Sequence, residues 1–152
     1  MNLGYIKAKI DLKLNDTILD FSERYPYWKE LWSNYTEHYS EVQIQNWKEE
    51  EQTIQELEQI SFLSRNEGLV KIHQVLLSEE TRDYFQNHAS INEKLKWFSM
   101  VFHDEEMIEG MEIHNYGEEV YFNQVTKEEA EPILEMFEQL KCAVEFIPDD
   151  TD

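Results

Sequence analysis

The five histidines are the side chains of this sequence best suited to metal binding or to base catalysis near neutral pH. No two of them stand three or four residues apart and no HExxH motif occurs, so a zinc site on one helix is not supported. A dense run of histidine and carboxylates begins with His103 and Asp104, and His114 follows 11 residues after His103. If a hairpin joined these segments, the three side chains would meet near Glu112 and could hold a divalent metal for hydrolysis. The simpler interpretation is that an acidic run of this kind is an ordinary turn.

The cysteine and the serines, the usual nucleophiles of enzymes, lack the surroundings that catalysis needs. Cys142 is the only cysteine, which excludes an internal disulfide, and it begins an apolar segment in the most acidic part of the chain. Acidic surroundings disfavour a thiolate, so we expect a buried structural cysteine. The serines form no G-x-S-x-G or S-x-x-K motif, and the four glycines lie too far apart for a phosphate loop. The sequence therefore predicts no catalytic residue and no cofactor; apart from the region from His103 to His114, it leaves open catalysis by an acid pair outside any known motif.

The chain is strongly and unevenly acidic. Its formal net charge is −20, from 33 acidic and 13 basic side chains. Residues 1–96 hold 17 acids and 11 basic residues, whereas residues 97–152 hold 16 acids and only Lys127 and Lys141. Such a field repels nucleic acids and anionic membrane surfaces, and it attracts and steers a basic protein partner. We therefore predict a basic protein partner and no direct contact with nucleic acid or membrane; the alternative is that the acidity serves solubility alone.

Aromatic residues and carboxylates occur together in the last third of the chain. The residues expected to contact a partner are Glu112, Tyr116, Glu118, Glu119 and Tyr121. Aromatic anchors surrounded by charge are typical of protein interfaces. The alternative is an ordinary amphipathic hairpin, with Val120 and Phe122 inside and the glutamates in water.

Apolar periodicity predicts the elements that position these groups. Alternation predicts an N-terminal strand at 5–14, and aromatic residues at helical spacing from Trp28 to Tyr39 predict a helix face directed at the core. Further helices are predicted at 41–64, at 79–87 and from residue 91, the last on a capping-box pattern at Ser90–Glu93. Residues 69–77 suit a strand or a helix. The later elements are a hairpin of 107–113 and 118–122, a helix at 126–140 and a strand at 142–147.

Together these elements predict a single α+β domain over residues 1–148, followed by a frayed acidic tail at 149–152. Central helices would pack on a small, mostly antiparallel sheet built from the N-terminal strand, the late β-hairpin and the C-terminal strand. No apolar run approaches the ~20 residues that span a bilayer.

In size, acidity and lack of a catalytic motif, the chain resembles the small immunity or antitoxin-type inhibitors that bacteria keep in the cytoplasm, without sharing a motif with them. The resemblance implies a cytoplasmic protein that binds and inhibits a basic protein. Two alternatives stay open: a nucleic-acid mimic whose carboxylates imitate phosphates, and a metal-assisted hydrolase that uses the region from His103 to His114. The oligomeric state is left open as well.

Overall fold

The computed structural model describes residues 3–10 and 20–149. The strands are β1 (Leu3–Lys9), β2 (Glu41–Trp47), β3 (Leu63–Glu67), β4 (Val70–Leu76), β5 (Ser90–Ile91), β6 (Lys94–Leu95), β7 (Ser99–His103), β8 (Glu109–His114), β9 (Glu119–Thr126) and β10 (Ala143–Pro148). The helices are α1 (Phe21–Arg24), α2 (Trp28–Asn34), α3 (Glu51–Ile60), α4 (Glu79–Asn87) and α5 (Lys127–Gln139). Eight strands form one antiparallel sheet in the order β10-β1-β9-β8-β7-β2-β4-β3, and β5 and β6 form a separate ribbon.

The predicted arrangement of central helices on a small sheet is wrong. Strands outweigh helices, 40% against 31%, and the sheet is the main element of the fold. The helix predicted at 41–64 is divided into β2, the short helix α3 and β3. Its many Glu and Gln residues suit a helix, but Val42, Ile44 and Asn46 are buried at alternate positions and β2 pairs on both sides. Tertiary pairing therefore overrides local propensity there.

The helix predicted from residue 91 is also wrong. Residues 90–95 form the ribbon β5–β6, whose turn residues Asn92 and Glu93 have φ of 53° and 62°. Two successive left-handed residues are the mark of a type I′ hairpin turn. The carboxylate of Glu93 accepts the backbone N–H of Phe21 at 2.8 Å instead of capping a helix. The capping-box pattern thus serves a contact between distant segments.

Most of the other predicted elements are confirmed where the structure describes them, although the helix predicted from Trp28 to Tyr39 ends at Asn34. The helices predicted at 79–87 and 126–140 are α4 and α5, and each begins with a capping box, Ser78 with Thr81 and Thr126 with Glu129. The predicted hairpin is β8–β9, the predicted C-terminal strand is β10, and the ambiguous segment contains β4. Local capping and periodicity were sufficient for these elements because their signals lie within one segment.

Two predicted segments are described only in part. The N-terminal strand predicted at 5–14 is confirmed as β1 as far as Lys9, and residues 11–19 lie outside the described residues. Of the predicted tail, Asp149 donates its backbone N–H to the carbonyl of Leu3 at 2.9 Å, so this residue is attached to the sheet. Residues 150–152 lie outside the described residues.

One face of the sheet, called here the covered face, packs against the helices. Its buried side chains are Ile6, Ala8, Val42, Ile44, Val75, Met100, Phe102, Met111, Ile113, Val120 and Phe122. The helices contribute Trp28, Leu31, Trp32, Leu57, Phe85, Ile133 and Phe137. Ring centroids lie 6.3 Å apart for Phe122 and Phe137 and 5.6 Å apart for Trp32 and Phe102. The aromatic stripe of residues 28–39 belongs to this core, as predicted.

The opposite side, called here the open face, carries the residues that alternate with the buried ones. Half-buried polar side chains dominate it: Lys7, Gln43, Gln45, Glu112, His114, Tyr121 and Asn123. The hydrogen bonds and ring contacts of His114, Glu112 and Tyr121 join strands of the sheet to one another. The described helices leave this face to solvent, which an antiparallel sheet tolerates.

Two buried tyrosines attach the β8–β9 turn to the core. The hydroxyl of Tyr25 donates to the carbonyl of Tyr116 at 2.9 Å, and that of Tyr27 donates to the carbonyl of Gly117 at 2.6 Å. Gly117 has φ of 86°, and a Cβ at this position would lie 2.7 Å from the ring of Tyr25. The hairpin that carries the predicted partner-binding residues is therefore held in place by the core.

Candidate functional site

Carboxylates occur along β8 and at both of its ends. Glu105 and Glu106 lie in the loop before the strand, Glu109 and Glu112 lie within it, and Glu119 on β9 stands opposite its last residue. These five residues are called here the acidic strip. From 109 to 114 the strand extends about 17 Å at about 3.3 Å per residue. The strip is thus long enough to contact several basic side chains of a partner.

Glu112 is held by a hydrogen-bonded network that crosses three strands. Its carboxylate accepts the amide of Asn123 at 2.7 Å and lies 2.9 Å from Nε2 of His114. Nδ1 of His114 lies 2.9 Å from the hydroxyl of Ser99. Partial burial raises the pKa of Glu112, but the hydrogen bonds from Asn123 and His114 outweigh it and leave the pKa below its ordinary value. Glu112 is therefore an ionised, oriented carboxylate at neutral pH.

The order Ser99–His114–Glu112 has the connectivity of a serine nucleophile, its base and an orienting acid. Two features weigh against acyl transfer here. Ser99 is only 5% exposed, and β7 pairs with β2 and β8 on its two sides, so its backbone N–H groups serve the ladder instead of an oxyanion. The network is therefore best understood as support for Glu112. Sequence reasoning missed it because Ser99 and Asn123 join it only through strand register.

The structure does not bring the predicted metal ligands together. His103 and His114 occupy opposite ends of neighbouring strands, and His114 bonds Ser99, four residues from His103 and so about 13 Å along the strand. One carboxylate oxygen of Asp104 accepts the N–H groups of Glu106 and Ile108 at 2.9 Å and 3.0 Å, so Asp104 closes its own loop. In residues 3–10 and 20–149, no group of three His, Cys, Asp or Glu side chains could hold a metal ion.

His103 instead lies beside Glu109 of the acidic strip. It is 8% exposed, and its Nε2 lies 3.8 Å from a carboxylate oxygen of Glu109. Its charge also helps to lower the pKa of Glu112. His103 and His114 therefore both lie near carboxylates of the strip. In the sequence, the only sign of this proximity was the run of histidines and acids at 103–114.

Tyr121 lies between carboxylates. It stands opposite Glu112 in the ladder, its hydroxyl donates to Glu119 at 3.3 Å, and its ring lies 6.5 Å from that of Tyr5. Lys7 is the ladder neighbour of Tyr121 on β1. The centre of the open face is thus a half-exposed aromatic pair with charges on both sides.

Tyr116 and Glu118, the other two predicted partner-binding residues, lie in the turn at the end of the hairpin and apart from Tyr121. The ring of Tyr116 lies 5.3 Å from that of Phe98, the ammonium of Lys94 lies 4.4 Å from its centre, and its hydroxyl donates to Glu50 at 3.3 Å. Burial and the charge of Glu50 raise the pKa of Tyr116 to about 12. Tyr116 therefore fixes the turn, and Glu118 stays half-exposed beside it.

A groove of about 650 Å³ adjoins the loop end of the strip. Glu37, Asp104, Glu105 and Glu106 line it, together with Arg82. The guanidinium of Arg82 donates to the carbonyls of Thr36 and Tyr39 at 2.7 Å and 2.6 Å, so it is used in holding the groove together. The acidic surface therefore continues past the end of β8. Sequence reasoning missed the groove because three distant segments form it.

Cys142 is 8% exposed and burial raises the pKa of its thiol, as expected for a structural cysteine.

No family model, no curated protein and no solved structure matches this chain. Of the helices in the described ranges, none is long and apolar enough to cross a membrane.

Proposed function

We propose that this protein is a cytoplasmic binding module of the immunity or antitoxin type, which holds a basic protein partner on its acidic strip. The observation that carries the proposal is the position of Glu112 and Glu119 beside the half-exposed Tyr121 on the open face of the sheet. An aromatic anchor with carboxylates around it suits a partner that presents Lys and Arg side chains. The net charge of −20 would speed the encounter by steering.

The strip is also organised before binding. Asn123 and His114 hold Glu112, and the core holds the hairpin turn through Tyr25 and Tyr27. Ordered carboxylates lose little conformational entropy on binding, which favours affinity. The free, buried Cys142 is compatible with the reducing cytoplasm.

The structure favours a protein-specific surface over nucleic-acid mimicry. A mimic needs the carboxylates of the C-terminal third on one face. The acids of α5 belong to a helix packed on the covered face, whereas Glu112 and Glu119 lie on the open face, where Lys7 and Lys9 also lie. Two separated groups of acids do not form one phosphate-like array.

Capture from lysate of the source organism tests the proposal. Immobilised wild-type protein is expected to retain a basic protein at low salt and to release it at about 0.5 M salt, where exposed charges are screened. The reversal Glu106→Lys/Glu109→Lys should abolish retention, because both exposed carboxylates belong to the strip. Duplex DNA added as a competitor should displace the partner only if that partner's DNA site contacts the strip.

The matched control is Glu131→Lys/Glu138→Lys. It changes the net charge by the same amount, but on the exposed side of α5, beyond the covered face. Retention of the same protein by this control, and not by the strip variant, would support the proposed surface. Equal loss in both variants, or the lack of any salt-sensitive basic protein, would refute it.

A further inference from the structure

The edge strand β3 is the one part of the described sheet with an exposed backbone, exposed apolar side chains and no excess of negative charge. Every residue of β3 is exposed. Leu63 is 48% exposed, and Leu69, in the turn between β3 and β4, is 72% exposed. Between Glu58 and Glu79, residues 59–78 carry Arg65 and Lys71 against Glu67 alone. Natural edge strands are usually protected by charge, proline or bulges, because an open edge invites pairing.

The backbone groups of β3 that face outward follow from the ladder. Lys48 donates to the carbonyl of Leu69 and Leu77 donates to that of Ser40, so the odd-numbered residues of β4 bond with β2. The even-numbered residues of β4 therefore bond with β3, where their partners are Leu63, Arg65 and Glu67. The N–H and C=O groups of Ser64 and Asn66 consequently face away from the sheet. They are available to another strand.

We infer that β3 pairs antiparallel with β3 of a second copy of this chain, with Asn66 opposite Asn66. This register joins outward-facing groups to outward-facing groups. It also sets Arg65 of each copy opposite Glu67 of the other. Opposite charges facing one another across strands are stabilising.

The neighbouring registers that join the same backbone groups are less favourable. A shift that pairs Ser64 with Asn66 places Arg65 opposite Arg65 and Leu63 opposite Glu67. A shift that pairs Ser64 with Ser64 places Leu63 opposite Arg65. Like charges directly opposite are destabilising, and charges facing leucines gain nothing. The side-chain order of β3 therefore selects a second copy, in one register, as its occupant.

The helix layer leaves room for this pairing. α3 packs on β4, where Glu58 pairs with Lys71. In the joined sheet, β4-β3-β3-β4, the two α3 helices would stand about 14 Å apart, three strand spacings of about 4.8 Å. A helix with its side chains is about 10 Å wide, so the two copies meet without overlap.

Sedimentation velocity from about 10 μM to about 1 mM tests the dimer. The wild-type chain is expected to move from monomer to dimer over this range. Arg65→Glu and Glu67→Arg, each alone, should weaken self-association at least about tenfold, because each places like charges opposite one another twice. Both side chains are exposed, so the fold should be unaffected, which thermal unfolding checks.

An equimolar mixture of Arg65→Glu and Glu67→Arg tests whether opposite charges across the two β3 strands drive the pairing. In the mixed dimer every cross-strand pair at these positions is again opposite in sign, although neither chain retains its own Arg65–Glu67 ion pair. We expect the mixture to form a heterodimer, which native mass spectrometry would detect at the sum of the masses of the two variant chains. Asn66→Pro, which removes an outward N–H, should stay monomeric.

Each remaining outcome would overturn the inference. A wild-type chain that stays monomeric near 1 mM has no such interface. A dimer that survives both single reversals uses another surface or another register, and a mixture that stays monomeric shows that charge pairing between the two β3 strands does not hold the dimer. None of these outcomes depends on binding of a basic protein to the acidic strip.

Discussion

The two faces of the sheet are built by the same strands and differ in chemistry. On β9, Val120 and Phe122 are buried against the helices, whereas Glu119 and Tyr121, one residue out of step, lie half-exposed on the open face. The covered face is filled by rings such as Phe137 and Trp32. The open face is filled by polar side chains that bond one another, as Ser99, His114 and Glu112 do.

This difference separates stability from recognition. Apolar burial on the covered face contributes the favourable free energy of folding, since it removes large side chains from water. The polar network on the open face contributes less net free energy, because its groups would otherwise bond water. Charged residues can accordingly change on the open face at little cost, and that freedom is what a binding surface needs.

The largest expected effect is on the covered face. Phe137 is fully buried between Phe122 and Tyr27, so Phe137→Ala should lower the free energy of unfolding by about 3–5 kcal/mol. Tyr121→Ala removes a ring from the open face and should cost no more than about 1 kcal/mol. Urea denaturation of both variants measures the difference. If Tyr121→Ala were the more damaging change, our assignment of the two faces would be inverted.

A smaller effect, dependent on pH, is expected at His73 on the covered face. His73 is fully buried, Ser64 lies 2.9 Å from its Nδ1, and its Nε2 has no partner among the described residues. Burial lowers the pKa of His73, and the charge of Lys71 lowers it further. His73 therefore binds a proton more readily in the unfolded chain than in the folded one. Stability is accordingly lost as the pH falls below the ordinary histidine pKa of about 6.5.

Between pH 7 and pH 5.5 the free energy of unfolding should accordingly fall, by no more than the ~1 kcal/mol that linkage to one such proton allows. His73→Gln should remove most of this dependence, and the exposed His38→Gln should retain it. The lowered pKa of Glu112 affects stability at a lower pH than His73 does. The stabilisation by its ionised carboxylate is present above about pH 4.5 and is lost only as the pH falls below that value. An equal pH dependence in wild type and His73→Gln would contradict the assignment.

The smallest effect on stability is expected at the hairpin end of the open face. Glu118→Lys/Glu119→Lys should change the free energy of unfolding by no more than about 0.5 kcal/mol, since both side chains are partly exposed in an acidic field. The same variant should bind a basic partner more slowly and with a weaker salt dependence, because peripheral charges act mainly on the association rate. Stopped-flow association at several salt concentrations measures this. An unfolded double variant would show instead that these glutamates are structural.

Part of the division between the covered and the open face was predictable from local sequence. Alternation at Ile6 and Ala8, and at Val120 and Phe122, correctly indicated which side chains enter the core. Whether Glu112, Glu118, Glu119 and the acids of α5 share one face could not be told from the sequence; in the structure α5 packs on the covered face, away from Glu112 and Glu119. The direction in which a helix returns to a sheet is not encoded in either element alone.

The error over residues 41–64 has a similar origin. Gln43 and Gln45 suit a helix as isolated residues, but on β2 they are partnered by β4 and β7, segments about 30 to 60 residues away. The energy of a strand comes largely from such partners, so a polar central strand carries little local signal. The same is true of Ser99, whose hydrogen bond to His114 exists only because β7 and β8 are neighbours.

By itself, the sequence determined the features that depend on neighbouring residues: the capped helices α4 and α5, the β8–β9 hairpin, the buried cysteine and the net charge of −20. The tertiary structure alone decided the width of the sheet, the division between covered and open faces, and the network that holds Glu112. The physical reason is that caps, turns and periodicity act over a few residues, whereas strand pairing and helix packing join residues that are distant in the chain.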